Sequence, residues 1–446
     1  MTWLVSHINN LDSRSAITDA SGTYTYSELS SKVRSFQKET EEMITAGEVV
    51  IILSDYNFYS IALFIALMNK RCIIVPIVSR VNSEINNKIE VAFGKKIIKI
   101  SPSGQLKIDA TKEIKNHTLT AHLIKKNQAG LILFSSGSTG SPKAMIHNLD
   151  ILVDSFTGKK IKKLNMLVFL MFDHIGGINT LINTLSIGAH IVLPSNRNTS
   201  EIAALIEKYK VNVLPTSPTF LNMMLMDNVS KRYDLRSLKM ITYGTESMPE
   251  SLLQRLKTSF PKARLLQTFG TSETGIIQST SKSSDSLNLK LNDPNQEYKV
   301  MDGELWLRSK TQVLGYLNAS MDSFTKDGWF KTGDLVDELK NGYIRIIGRK
   351  NDLINVGGEK VLPSEVESIL MEMEIVLDAT VYGAPNSITG QSVVADIVLF
   401  DSNDSKSVKK DIRGHCRLRL SEFKIPTKIN FIKNTNISDR FKKLRN

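Results

Sequence analysis

Cysteine is scarce in this chain: Cys72 and Cys416 are the only two in 446 residues. They lie far apart and make no metal-ligand spacing, so neither a disulfide framework nor a cysteine zinc site is expected, and a reducing compartment suits them. Long apolar stretches are also missing. The longest run, Tyr59 to Met68, falls short of the roughly 20 residues that cross a bilayer, so no membrane span is expected. The opening Met1-Thr-Trp-Leu-Val-Ser6 has no basic region followed by an apolar one, so no secretory signal is expected either. These absences together predict a cytoplasmic soluble protein. No repeat or low-complexity tract occurs. Acidic residues are in deficit, with 45 Asp and Glu against 57 Lys and Arg, for a net charge of +12. The excess gathers after Lys406 without any recognisable nucleic-acid module, so no nucleic-acid partner is expected. A solvated basic face and a docking surface for an anionic partner both remain open.

What is present is ordinary globular composition, 41% apolar and 23% charged, in a chain long enough for two or three domains with sizeable cores. Val49 to Leu53 reads as a short buried strand, Phe58 to Met68 as an apolar helix, and Cys72 to Val78 as another strand. Ile191 to Leu193 and Val211 to Leu214 are further strands, with a helix over 200–209 between them. This alternation predicts helix-covered, mainly parallel sheets, an α/β fold. Ser27 is a plausible N-cap for the helix that follows Thr-Tyr-Thr-Tyr26. Residues 79–128 are polar and carry no assigned role.

The most informative stretch is Leu131-Ile-Leu-Phe-Ser-Ser-Gly-Ser-Thr-Gly-Ser-Pro-Lys-Ala144. A buried strand opens into a loop in which Gly137 and Gly140 let backbone N–H groups turn toward an anion. Ser135, Ser136, Ser138 and Thr139 add hydroxyls, and Lys143 adds a positive charge. That chemistry suits a polyphosphate. The spacing is not that of the common P-loop, and Pro142 sits where the helix of that motif would begin. A flexible Ser/Gly linker is the plainer alternative.

Phe134 to Lys143 resembles the phosphate loop of the AMP-forming adenylating enzymes, the superfamily of acyl- and aryl-CoA ligases, nonribosomal peptide synthetase adenylation domains and firefly-type luciferases. Further stretches resemble that superfamily's motifs in its own order. Tyr24-Thr-Tyr-Ser-Glu-Leu29 is similar to its opening element. Asp173-His-Ile-Gly-Gly-Ile178 is similar to the segment lining its carboxylate pocket. The resemblance places His174 near the acyl carboxylate, although a helix-capping or core histidine is the alternative. Asp173 stays ambiguous, because amino-acid-activating relatives hold the substrate ammonium with an aspartate near this point. Gly244, Thr245 and Glu246 end a strand in a turn that, in the family, covers one face of adenine. Phe269, Gly270, Thr271, Ser272 and Glu273 resemble the "YGxTE" motif, with Phe269 offering a stacking face and Glu273 a hard oxygen ligand for Mg²⁺.

Gly303 to Arg308 and Val313 to Tyr316 suit a small β-barrel element. Asp327-Gly-Trp-Phe-Lys-Thr-Gly-Asp-Leu335 is close to the family's "DGWFxTGD". There Asp334 accepts both ribose hydroxyls, which a carboxylate does better than any neutral group. Tyr343 to Glu367 resembles the join between a large N-terminal domain, 1–348, and a smaller mobile α+β domain, 352–446, with a hinge at 349–351. Arg349 then reaches ribose or phosphates, and Gly357-Gly358 lies on the loop used in the thiol step. Pro363 and Ser364 begin a helix, with Ser364 as its cap.

The resemblance implies ATP and Mg²⁺ as cofactors, and catalysis by Thr139, Lys143, His174, Glu273 and a C-terminal lysine. The family's closing Gly-Lys pair is absent here. Arg440, Lys442 and Lys443 are the candidate substitutes, with Arg440 preferred. Ala144 is a lesser departure, where glycine usually follows the lysine.

The implied reaction is activation of a small carboxylic acid as an acyl adenylate, then transfer to a thiol. The acceptor is coenzyme A or the phosphopantetheine of an acidic acyl or peptidyl carrier protein, with the carrier preferred. The acid pocket is expected around 172–178, 216–220 and 243–248, favouring an apolar acid. An amino-acid-activating enzyme and a degenerate nucleotide-binding relative are the alternatives.

Overall fold

The computed structural model describes residues 2–111, 116–135, 142–400 and 406–445. Two seven-stranded sheets form the large domain. In the first, Val49–Leu53, Ile73–Ile77 and Lys96–Ile100 run parallel, Val49 facing Ile73 and Leu53 facing Ile77. Val49–Leu53 and Ile73–Ile77 are apolar along their length because both faces are covered, while Lys96–Ile100 carries Lys96 and an exposed Lys99. Helix Phe58–Asn69, buried over nearly its whole length, covers one face. In the second sheet Asn165–Leu167, His190–Val192, Val213–Thr216, Met240–Tyr243 and Arg264–Gln267 run parallel. Their carboxyl ends open toward one crevice, the usual ligand position of such sheets.

Strand Gly130–Ser135 pairs antiparallel with Lys143–Asn148, so a strand, not a helix, follows the serine-rich loop. Ser135 and Lys143 face each other across this pair. Asn318 staples the far side, accepting from the Ala144 N–H and donating to the Pro142 carbonyl, each at 2.9 Å. Ser136, Gly137, Ser138, Thr139 and Gly140 lie outside the described residues.

An antiparallel six-stranded sheet follows, with Asn288–Leu291, Ile344–Arg349, Phe330–Glu338 and Glu304–Ser309 as its inner strands. Its core holds Leu289, Leu305, Leu307, Val336 and Ile344; of the small β element expected from the sequence it contains Glu304–Ser309, whereas Gly315–Tyr316 pairs instead with Met145 and Ile146 in the first sheet. At Arg349 the chain leaves this sheet through a short 3₁₀ turn, Lys350–Asp352. The small α+β domain beyond is built on the long hairpin Val376–Asn386 and Gly390–Leu399, with helices Pro363–Leu370 and Lys406–Arg417.

Three local expectations are corrected. Thr25, not Ser27, caps the helix Tyr26–Glu39: its hydroxyl accepts from the Glu28 N–H while Glu28 accepts from the Thr25 N–H. That reciprocal box satisfies two otherwise unpaired donors and wins over a lone serine. Ser364 does not cap helix Pro363–Leu370. Pro363 occupies its first turn, and the Ser364 hydroxyl donates to the Ile347 carbonyl at 2.6 Å, tying the helix to the six-stranded sheet. Residues 79–128, to which the sequence assigns no role, contribute to the site. They include strands Lys96–Ile100 and Leu106–Ala110 and helix Asn82–Val91, whose Lys88 reaches the site.

Candidate active site

Asp334 and Arg349 face each other on adjacent antiparallel strands. Arg349 Nε donates to Asp334 Oδ1 at 3.0 Å. Burial raises the Asp334 carboxyl above its ordinary value, against the downward pull of Arg349. Asp334 in turn raises Arg349. The pair borders a cavity of about 340 Å³ between the large and small domains, which Glu246 and Phe269 also line.

Three polar atoms on that cavity, Asn222 Oδ1, Thr245 Oγ1 and Gln267 Oε1, are buried without any hydrogen-bond partner. Buried polar groups are rarely left so, and a polar ligand would complete them. The turn that presents Thr245 is sterically tight. A side chain at Gly244 would meet the Thr268 carbonyl at 2.7 Å, and Thr245 itself has φ +72°.

A larger cavity of about 1000 Å³ adjoins the first. Ser135, Lys143, His174, Gly244, Thr271, Ser272, Glu273 and Arg440 line it. Thr245, Phe269, Gly270, Arg349 and Lys442 line both. Tyr316 donates to Glu273 Oε1 at 2.8 Å, and the Lys143 ammonium stands 5.7 Å from the Tyr316 ring centre. Among the described residues no cluster of three His, Cys, Asp or Glu could hold a metal alone. Glu273 fits the other arrangement, in which Mg²⁺ takes one carboxylate and completes its shell with substrate phosphates and water.

His174 caps helix Ile175–Ser186 and also lines the larger cavity. Its Nδ1 accepts from the Gly176 N–H at 3.0 Å, so the neutral ring carries its proton on Nε2. Burial, with Arg440 and Lys442 nearby, holds its pKa down at about 3. The helix starts so close to the preceding loop that a side chain at Gly177 would lie 2.1 Å from the Met171 carbonyl.

The end of the small domain enters this site. Arg440 donates to the Phe134 carbonyl at 3.3 Å and pairs with Asp173 Oδ2 at 3.8 Å. Lys88 stands 3.7 Å from the same oxygen. Phe441 packs on Phe169 and Phe220, with ring centres 5.0 and 5.1 Å away. Lys443 is committed elsewhere, donating to Asp378 Oδ1 and the Ala379 carbonyl, each at 2.6 Å. Arg445 makes two 3.0 Å bonds to Glu367. Glu246 serves the same junction, accepting from the Lys443 N–H at 2.7 Å and from the Thr219 hydroxyl at 2.6 Å.

Lys442 lines both cavities. Burial lowers its pKa, and Arg349 and Arg440 lower it further, against Glu246 and Asp334. Phe441, just before it, has φ +53°, the left-handed region that glycine favours. A glycine before this lysine would adopt that conformation without strain. Sequence reasoning named Lys442 only as one of three candidates, and Lys88 and Tyr316 not at all. The Phe-Lys step at 441–442 was the available signal.

The AMP-binding enzyme family profile matches residues 6–317, and that of the AMP-binding enzyme C-terminal domain matches 365–441. The chain belongs to the AMP-binding enzyme family. This adenylating enzyme is 29% identical to 4-coumarate--CoA ligase-like 9 of Arabidopsis thaliana over 426 residues, 84% of this chain and 75% of that one. It is 28% identical to Acyl-CoA synthetase 7 of Caenorhabditis elegans over 374 residues, 76% and 69% of the two chains. Its fold matches the anthranilate CoA ligase AuaEII, solved in complex with anthranoyl-AMP, at a TM-score of 0.84 and 20% identity, covering 99% of this chain and 95% of that one. The adenylating enzyme is an AMP-forming acid–thiol ligase that activates a carboxylic acid with ATP. No helix among its described residues is long and apolar enough to cross a membrane.

Proposed function

We propose that this enzyme forms an acyl adenylate where its two cavities meet and passes the acyl group to coenzyme A. The nucleoside occupies the smaller cavity, with Asp334 accepting from the ribose and Phe269 beside the base. The acid occupies the larger one, its carboxylate toward His174 and Lys442. Lys442 carries this reading. Joining a carboxylate to a phosphate brings two anions together, and the reaction needs fixed positive charge between them. An ammonium already disfavoured by burial and by two guanidinium groups is stabilised when those anions arrive, and most when their charges converge in the transition state.

His174, held neutral with its proton on Nε2, donates a hydrogen bond without adding charge. Lys143, Thr139 and the other loop residues bind the outgoing phosphates, and Glu273 holds Mg²⁺ against them. When bound, the metal neutralises charge on the pyrophosphate. Arg440 positions the tail by joining the Phe134 carbonyl to Asp173, and Glu246 anchors that tail instead of touching nucleotide. The closed small domain keeps water from the mixed anhydride. Gly357 and Gly358 lie on an exposed hairpin tip here, so the thiol step uses a second placement of the small domain, turning about 349–351.

Coenzyme A is favoured over a carrier protein because the relatives that match across most of the chain are CoA ligases and acyl-CoA synthetases by name. The test is acid-dependent ATP–pyrophosphate exchange over a panel of acids, followed by acyl transfer to coenzyme A or to carrier proteins. Exchange with thioester formation on coenzyme A is expected. Transfer to carriers alone would reverse the acceptor, and silence across the panel would favour a binding-only relative.

A further inference from the structure

The larger cavity is not uniform along its length. Helix Ile175–Ser186 runs beside it, and Gly176, Asn179, Thr180 and Asn183 all line it. Their spacing is that of one helical face. The helix thus acts as a ruler from His174 at the reacting end to Asn183, about 13 Å further on at 1.5 Å per residue. Between these ends the walls are mixed, with apolar Met166 and Leu170 beside Asn179, Thr180, Thr216 and Thr242, and Ile187 lies past Asn183 at the lysine end. At the far end stands Lys159, half-buried, whose ammonium donates to Asn183 Oδ1 at 2.7 Å.

Lys159 has cationic company. Lys160 and Lys162 line the same end. Burial lowers the Lys159 pKa and Lys162 lowers it further, with Asp293 acting the other way. Asp293, however, turns its oxygens to backbone: Oδ1 accepts from the Asn295 N–H at 2.8 Å and Oδ2 from the Gln278 N–H at 3.0 Å. Among the described residues no carboxylate forms an ion pair with Lys159. A cavity with His174, Arg440 and Lys442 on its wall at the reacting end, and Lys159 held by Asn183 beyond the helical ruler, matches an acid with negative charge at both ends. The Lys159 ammonium stands 4.4 Å from the Phe156 ring centre and bonds Asn183, so a plain fatty or aryl acid would leave it half-buried with neutral partners and no counter-ion.

We infer that the acid this enzyme activates is a dicarboxylate, whose second carboxylate binds Lys159, supported by Asn183, at the far end of the acyl cavity. This assignment rests on the placement of the acid under Proposed function and narrows its class. It adds a second carboxylate to the apolar acid that the sequence favours.

The test pairs adipate, suberate and sebacate with hexanoate, octanoate and decanoate, using wild type and Lys159→Met. Acid-dependent pyrophosphate exchange gives kcat and KM, and equilibrium dialysis of the labelled acids gives binding without turnover. Wild type should prefer at least one diacid over its matched monoacid. Lys159→Met should lower that diacid-to-monoacid ratio by about 10–100-fold, the range for a hydrogen bond between charged groups, acting mainly through KM. Monoacids preferred by wild type in both assays, or a ratio unmoved in the variant, would overturn the inference. If no acid supports exchange but wild type retains diacids and the variant does not, the second-carboxylate site stands and the catalytic reading falls. If exchange occurs with monoacids alone, the reverse holds.

Discussion

Lys443 and Asp378 form a 2.6 Å ion pair whose side chains are 9% and 4% exposed. The pair holds Lys443 and the tail to the small domain, which leaves Lys442, on the wall of both cavities, as the lysine to which the proposed mechanism gives the chemistry. Replacing Lys443 with alanine strands the Asp378 carboxylate in the interior. We expect a loss of about 3–5 kcal/mol from the small domain, the range for breaking a buried pair from one side, read from denaturant unfolding. Lys443→Ala and Asp378→Asn together should cost less than the sum of the two single changes.

Lys442 and Arg440 should separate kinetically. Lys442→Ala removes the charge between the reacting anions, and exchange should fall about 100–1,000-fold. Acyl transfer to thiol from a supplied adenylate should survive. Arg440→Ala removes a positioning contact and should cost only about tenfold, the scale of one charged hydrogen bond. Equal losses in the two variants would return the central role to Arg440.

Phe441→Gly tests what the aromatic before Lys442 contributes. Glycine relieves the φ of +53°, a gain of about 1 kcal/mol. It loses the contacts to Phe169 and Phe220, which outweigh that gain. Exchange should fall about tenfold, with the large-domain melting transition unchanged. A faster enzyme would mean that backbone strain, not aromatic docking, governs closure.

His174 predicts an acid limb of stability. Its folded pKa of about 3 lies below the ordinary 6.5, so between these values the unfolded chain binds the extra proton. The stability contribution of the neutral ring is complete above pH 6.5 and is lost as pH falls toward 3. His174→Asn keeps a capping side chain and removes the titration. Its unfolding free energy should therefore fall less than that of wild type between pH 6.5 and 3, measured by urea denaturation across that range.

The sequence revealed what is local and continuous. Gly130–Ser135 and Val49–Leu53 are buried on both faces, so their apolar runs declare them. Asp334 and Arg349 belong to stretches whose order alone suggests a nucleotide site. Contacts between segments remote in the chain were opaque. Lys88 meets Asp173 only because helix Asn82–Val91 folds over the crevice. Lys159 meets Asn183 only because one face of a helix lines the cavity. Thr25 took the capping role from Ser27 through a partner three residues away, a signal present in the sequence and outweighed there by the nearer serine.

The last residues of the tail face two ways. Lys443 and Arg445 are fastened to acids of the small domain, while Arg440 and Lys442 reach into the large one. A shift of the small domain, as the proposed thiol step requires, would therefore withdraw the Lys442 ammonium in the same motion, and Asp173 would lose its arginine as that charge departs. Under that mechanism one short piece of backbone keeps time for both chemistry and docking.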